Sequence, residues 1–296
     1  MMGDFHGLAT RIIGNQYLRL EFLAEAGPRI VRLFVADSDE NQLAEMPDVK
    51  WETPYGEYFI RGGHRLWHAP EAYPRSYIPD NSGLVVQETA AGVRLCQPAE
   101  ADTGIRKSIE VRLHADKPAL TLVHELRNDG LWPVELAPWA ITQMRLGGVA
   151  VLPQQIASLD KDGLLPNRHL VLWPYTHWRD SRLQVGDDYL LIQAQPQPAP
   201  CKVGCFNRSG WMGYLRQGIF FCKRFEPQTD QPHPDLGCNV EVYCNHRFVE
   251  LETVAPLCHL EPGQSTIHVE TWEFYAGLDV PQTLEGVQAL VRTLNL

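Results

Sequence analysis

Short runs of alternating apolar and polar residues recur along nearly the whole chain. In residues 16–23, Leu18, Leu20 and Phe22 alternate with Tyr17, Arg19 and Glu21, a period of two that predicts a half-buried strand. Gly27-Pro28 turns the chain into a second run, Arg29–Val35. Runs at 84–88 and Gly92–Cys96 are joined by a short turn, and those at 106–113 and 119–126 by His-Ala-Asp-Lys-Pro, which fits a hairpin. After Cys201 the runs crowd together: 202–206, Trp211–Arg216, Ile219–Phe225, 239–244, Phe248–Val254 and Ser265–Tyr275. Only the tail changes period. Leu284, Val287, Leu290, Val291 and Leu294 have helical spacing, with Pro281 near their start. Strands do not alternate with helices, which argues against a parallel α/β sheet. The pattern predicts an all-β protein, a single domain over 1–296 built as a large antiparallel β-sandwich with a short C-terminal helix.

Two stretches break the alternation. Residues 37–50 are polar and acidic and read as a surface excursion. Residues 55–81, YGEYFIRGGHRLWHAPEAYPRSYIPDN, mix glycine, proline, arginine, histidine and aromatic side chains and read as a ligand-binding loop. Aromatic faces with polar heads suit a sugar, which makes Arg61, Arg65, Trp67, His68, Glu71 and Asn81 candidate binding residues. His64 and His68 are four apart, as two metal ligands on a helix would be, but Gly62-Gly63 before them and Ala69-Pro70 after them argue against a helix. No metal and no cofactor is expected. A structural loop whose arginines and histidines hold backbone carbonyls is the alternative.

The formal net charge of -10 argues against nucleic acid, which needs a basic face. The apolar runs are too short to span a bilayer, and the first residues lack the pattern of a signal peptide. Seven cysteines without disulfide-module spacing point to reduced, mostly buried thiols and a cytoplasmic protein. The expected partner is therefore a small molecule, a sugar or sugar derivative.

Candidate acid/base groups fall later in the chain. Lys223, Glu226, Asn239 and Glu241 cluster in one stretch, where a strand-borne carboxylate could face a histidine. Glu250 and Glu252 share one strand face, as do His268, Glu270 and Trp272; these groups could equally anchor arginines. Trp139, Asp180 and Arg182, with Trp173, Tyr175, His177 and Trp178, could stack on a sugar ring and bind its hydroxyls, or could form an aromatic core.

Three motifs resemble the galactose mutarotase-like (aldose 1-epimerase-like) superfamily. They are IRGGHRLWHAPE, FCKRFEPQTDQPHPDLGCN and ELETVAPLCHLEPGQSTIHVETWEF, and their order spans roughly residues 10–275. The resemblance implies a sugar-binding concave face. It also implies a cofactor-free mechanism in which a glutamate takes the anomeric hydroxyl proton and a histidine protonates the ring oxygen. By motif, Glu226 stands where the base is expected, with Glu241 a second candidate. By the resemblance, Trp139 or Pro138 stands in the place of one family histidine, so His64 or His68 is expected to supply the acid. Two other readings stay open. One is a sugar-binding or sensing protein without catalysis. The other is a lyase or isomerase acting on an acidic sugar, with Lys223 as base and Arg61 and Arg65 holding the carboxylate.

Overall fold

The computed structural model describes residues 2–35 and 38–296. Two large antiparallel sheets, of eleven and ten strands, stack face to face around one apolar layer, with a two-stranded hairpin on the outside. The alternating runs become strands almost where their period places them. Arg29–Val35, Gly92–Cys96, Trp211–Arg216, Ile219–Phe225, Phe248–Val254 and Ser265–Tyr275 all keep the predicted bounds. Their inward-facing residues, such as Leu33, Leu95, Met212, Phe221 and Leu251, interlock in the core.

The tail forms the helix Leu284–Leu294. Thr283 caps it by accepting from the backbone N–H of Gly286, and Asn295 ends it in the left-handed region. Val287, Leu290 and Val291 seal the outer face of the ten-stranded sheet against Val149, Val151 and Leu191. Among the described residues, no helix is long and apolar enough to cross a membrane. The seven cysteines are free, five of them buried and two half-buried. Burial pushes the Cys205 thiol up to about 11, so it is held as an unreactive thiol.

Two readings of the sequence need correction. Residues 55–81 are not mainly a loop. Gly56–Gly62 and His64–Ala69 are strands, and His64–Ala69 is an inner strand of the eleven-stranded sheet, paired with Arg29–Val35 and Val134–Arg145. All six of its residues are buried, because both faces of the sheet are covered there, and a strand buried on both sides shows no alternation. Gly62-Gly63 makes the turn between the two strands with positive φ at both residues. A Cβ on Gly63 would stand 2.0 Å from the Ile30 carbonyl oxygen, so only glycine fits.

The acidic stretch is not a surface excursion either, although Asp37, at its start, lies outside the described residues. Asn41, Gln42, Leu43 and Ala44 are buried, and Glu45–Thr53 pairs with Gly56–Gly62 as the external hairpin. Asn41 explains the burial: its side-chain oxygen accepts the backbone N–H groups of Leu33 and Leu43. The hairpin lies against the outer face of the eleven-stranded sheet, and its Met46, Tyr58 and Ile60 join Trp67, Trp139 and Ile141 in a second apolar cluster.

Candidate functional site

Five neighbouring strands build the site: His64–Ala69, Val134–Arg145, Phe248–Val254, Val240–Cys244 and Cys201–Cys205. Strand geometry sends alternate side chains to opposite faces. Leu66, Met144, Leu251, Val242 and Val203 enter the core between the sheets. Residues of opposite parity on the same strands, Arg65, Trp67, Trp139, Ile141, Glu250, Tyr243 and Lys202, line a cleft of about 490 Å³ on the other face. Trp51 from the hairpin, Tyr77 and Tyr175 complete aromatic walls, and Glu71 and His246 lie on the cleft lining as well.

The floor holds more carboxylates than cations. Glu241 and Glu252 stand directly opposite one another on adjacent strands, a like-charge pairing that is unfavourable alone. Lys202 resolves it, with Nζ 2.6 Å from Glu241 and 2.9 Å from Glu252. The same ammonium lies 4.7 Å from the Trp139 ring centroid and 4.6 Å from that of Trp173. Trp139 Nε1 donates to Glu252 at 2.7 Å. Gly204 faces Glu241 across the strand pair, and a Cβ there would meet the Glu241 side chain at 3.2 Å. Beside this cluster, Glu250 accepts from Arg65 and from Gln143, both at 2.9 Å. The Arg65 guanidinium also lies 4.4 Å from the Trp67 ring centroid.

These groups do not titrate like free side chains. Burial pushes the Glu241 carboxyl well above the usual range; Lys202 opposes this, and the Glu252 charge adds to it. Burial also raises Glu250. Lys202 is held well above the usual lysine range, since the attraction of Glu241 and Glu252 together outweighs its burial. The cluster therefore keeps a charged lysine with a carboxyl that tends to hold its proton. Such a floor can bind hydroxyls, stabilise a developing oxyanion, and exchange a proton with a bound ligand.

The candidate residues divide. Arg65, Trp67, Glu71 and Trp139 line the cleft, and Glu241 lies at its floor beside Lys202. His64 and Lys223 are instead fully buried between the two sheets, on the far side of the floor strands. Strand parity puts them there: His64 is one residue from Arg65 and points the other way. Lys223 Nζ is 2.9 Å from Glu270 and donates to the backbone carbonyls of Ala140 and Leu251, both at 3.0 Å. Glu226 is exposed just beyond the strand Ile219–Phe225 and does not line the cleft.

The other candidates also sit outside the cleft. Asn239 exchanges hydrogen bonds with the backbone of Asn207. Asp180 pairs with Arg182 at 2.7 Å, and Arg182 in turn donates to the carbonyls of Cys244 and Ala199. Arg61 binds Asp80 at 2.8 Å and Asn81 at 2.6 Å. His68 accepts from Arg75. Each is a structural tie to a neighbouring side chain or backbone group, although His68 Nε2 keeps no hydrogen-bond partner, with Glu100 3.8 Å away.

His64, His124 and Glu270 bring one ligand atom each to within 4.8 Å of one another in the interior. The cluster already has a cation in Lys223, and both Glu270 oxygens are engaged, one by Lys223 and Thr253, the other by Trp272 Nε1 at 2.9 Å. A second buried cation beside the ammonium would be repelled, so the donor set fits a satisfied polar network better than a metal. Sequence reasoning passed over Lys202, Tyr243, Trp51 and Tyr77, offered Tyr175 only as one of a group of aromatics, and left Glu250 and Glu252 open as arginine anchors. The available signal was a set of charged residues at alternate positions within otherwise apolar strands, as in Cys-Lys-Val-Gly-Cys and Val-Glu-Leu-Glu-Thr-Val.

No protein-family model matches the sequence, and no curated protein is similar to it. Solved structures are similar in shape. A putative aldose 1-epimerase from Klebsiella pneumoniae superposes with a TM-score of 0.58 at 11% identity, over 99% of this chain and 84% of that one. A galactose mutarotase-like protein from Lactobacillus casei gives 0.55 at 10% identity, over 90% of this chain and 100% of that one. The fold is that of the galactose mutarotase-like proteins. A TPR-domain containing protein from Parabacteroides distasonis matches as well, with a TM-score of 0.62 at 15% identity over 94% of this chain. The chain spans 50% of that protein's length. At these identities the likeness concerns the fold.

Proposed function

We propose that the cleft binds a sugar and that its floor moves a proton at the anomeric centre, in the manner of an aldose 1-epimerase. The observation that carries this reading is the aromatic-walled cleft of about 490 Å³ above a buried lysine–carboxylate floor. Its size is in the range of small-ligand sites, and aromatic faces with hydrogen-bonding groups beneath suit a sugar ring. Structures bearing the name putative aldose 1-epimerase share the fold, which supports the choice of reaction.

In this reading Glu250 takes the proton of the anomeric hydroxyl. The bond from the anomeric carbon to the ring oxygen breaks as the aldehyde forms. The ring oxygen takes a proton from Lys202, which Glu241 resupplies. The aldehyde rotates, and the reverse steps close the ring as the other anomer. Glu250 and Lys202 take these roles because both line the cleft, whereas His64, Lys223 and Glu226 do not.

A second reading, binding without turnover, is favoured by one observation: among the described residues, the histidine that lines the cleft is His246, which is exposed. The acidic-sugar reading loses support, since Arg65, Lys202 and Arg247 each already pair with a carboxylate.

Exchange NMR between the anomers of a panel of aldoses separates the readings. Faster exchange than in buffer for any sugar supports the epimerase. Binding with no acceleration leaves the second reading, and no binding of any sugar rejects both.

A further inference from the structure

Every side-chain cation that lines the cleft is already matched. Arg65 has Glu250 at 2.9 Å, Lys202 has Glu241 and Glu252 at 2.6 and 2.9 Å, and Arg247 has Asp48 at 2.7 Å. The carboxylates are in excess. Glu71 lines the cleft, is exposed to it, and has no cationic side chain within ion-pair distance among the described residues. Its recorded partner is the Tyr77 hydroxyl. Burial pushes the Tyr175 phenol up, the Lys202 ammonium opposes this, and the Glu71 charge adds a smaller push upward.

The aromatic faces are unevenly used. Arg65 lies over Trp67, and Lys202 lies against Trp139 and Trp173. No side-chain cation lies over Trp51, Tyr77 or Tyr175 among the described residues, although Trp51 and Tyr77 pack edge to face with centroids 5.4 Å apart. A carboxylate without a cation beside aromatic faces without a cation is the environment that binds an ammonium group. The same excess of carboxylates repels a phosphate or a uronate.

We infer that the cleft selects an amine-bearing sugar, with its ammonium at the Glu71 end against Trp51, Tyr77 and Tyr175. This rests on the cleft being a sugar site. The ring then lies towards Trp67 and Trp139, above Glu250 and Lys202. A neutral hexose fills the same walls but leaves Glu71 unmatched, and a hexuronate brings a second negative charge to it.

Titration calorimetry with glucosamine, glucose and glucuronate tests the inference on the intact chain. At pH 6.5 glucosamine is expected to bind at least about 10-fold tighter than glucose, with glucuronate weakest, a span consistent with a desolvated cation–π contact and a charged hydrogen bond. Raising the pH until the sugar amine is deprotonated should close the gap. In Glu71→Gln the glucosamine preference should shrink to about 2-fold or less. Glucose or glucuronate binding as tightly as glucosamine overturns the amine preference and leaves the sugar site standing. An undiminished preference in Glu71→Gln overturns the placement of the ammonium. If none of the three binds, the sugar site and the preference fail together.

Discussion

Glu241 and Glu252 face one another across adjacent strands of the eleven-stranded sheet, and a single lysine lies between them. Their charges are not independent of Lys202, whose removal leaves two carboxylates in a dry floor. Lys202→Met should cost about 3–5 kcal/mol at pH 7, the usual loss when one partner of a buried pair is removed. Towards pH 4 the exposed penalty should shrink, because Glu241, whose carboxyl burial already pushes upward, then holds its proton more fully. Urea unfolding at the two pH values checks this, and an equal loss at both would show that the lysine does not offset carboxylate charge.

The interior network should make the protein acid-sensitive. Burial lowers His64, His124 and His268 below the ordinary histidine value of 6.5, and His268 falls to about 3. The unfolded chain takes up these protons first as the pH drops, so acid favours unfolding. Stability is full above pH 6.5 and is lost from there down to about 3. Glu270 acts with the same sign lower down, since Lys223, against the effect of burial, holds its carboxyl far below 4.5. In His268→Gln the slope of stability against pH between 6 and 4 should fall by roughly one bound proton. Coincident slopes for the two proteins would remove His268 from the account.

Glu250 reaches the cleft and carries the proton step proposed above. Glu250→Gln keeps an oxygen for Arg65 but cannot take a proton. On any sugar whose anomers the protein interconverts, kcat should drop by about 10²–10⁴, with a much smaller change in KM. Retention of more than a tenth of the rate, in a variant that still melts cooperatively, would exclude Glu250 as the base.

Two glycines of the same backbone class should respond differently to alanine. Gly63 and Gly277 have φ of 71° and 74°. A Cβ on Gly63 meets the Ile30 carbonyl at 2.0 Å, while one on Gly277 meets nothing within 4 Å. Gly277→Ala should cost about 1 kcal/mol from its left-handed backbone alone. Gly63→Ala should prevent the inner strands from closing and give insoluble protein. Thermal melts compare the two, and similar melting points would show that the sheet can yield at Gly63.

Much of the fold was legible because alternation is the direct signature of a strand with one dry and one wet face. Ser265–Tyr275 shows both the strength and the limit of that rule. His268, Glu270 and Trp272 do share a face, as their spacing implies, but it is the buried face, while Ile267 and Val269 are exposed at 55% and 45%. Hydropathy alone orients this strand backwards. His64–Ala69 was missed because it is buried on both sides and has no alternation to detect. Among the sequence candidates, Arg65, Trp67, Glu71 and Trp139 line the cleft, and Glu241 lies beneath it beside Lys202. His64 and Lys223 were drawn in by their chemistry, yet parity turns them to the interior. Lys202 is inconspicuous in sequence, and its importance comes from Glu241 and Glu252, which are brought to it by strand pairing from about forty and fifty residues away.

The His64 and His124 imidazoles between the sheets have a direction. His124 Nδ1 is 3.1 Å from the carbonyl oxygen of His268, which can only accept, so the proton sits on Nδ1 and Nε2 is bare. His64 Nε2, 2.8 Å away, must then be the donor, and His64 Nδ1 accepts from the Thr142 hydroxyl at 2.9 Å. The rings are locked in opposite tautomers by one backbone carbonyl. Nitrogen-15 spectra should therefore give His64 and His124 opposite tautomer signatures, an internal reporter of whether the sandwich is closed that needs no ligand and no activity.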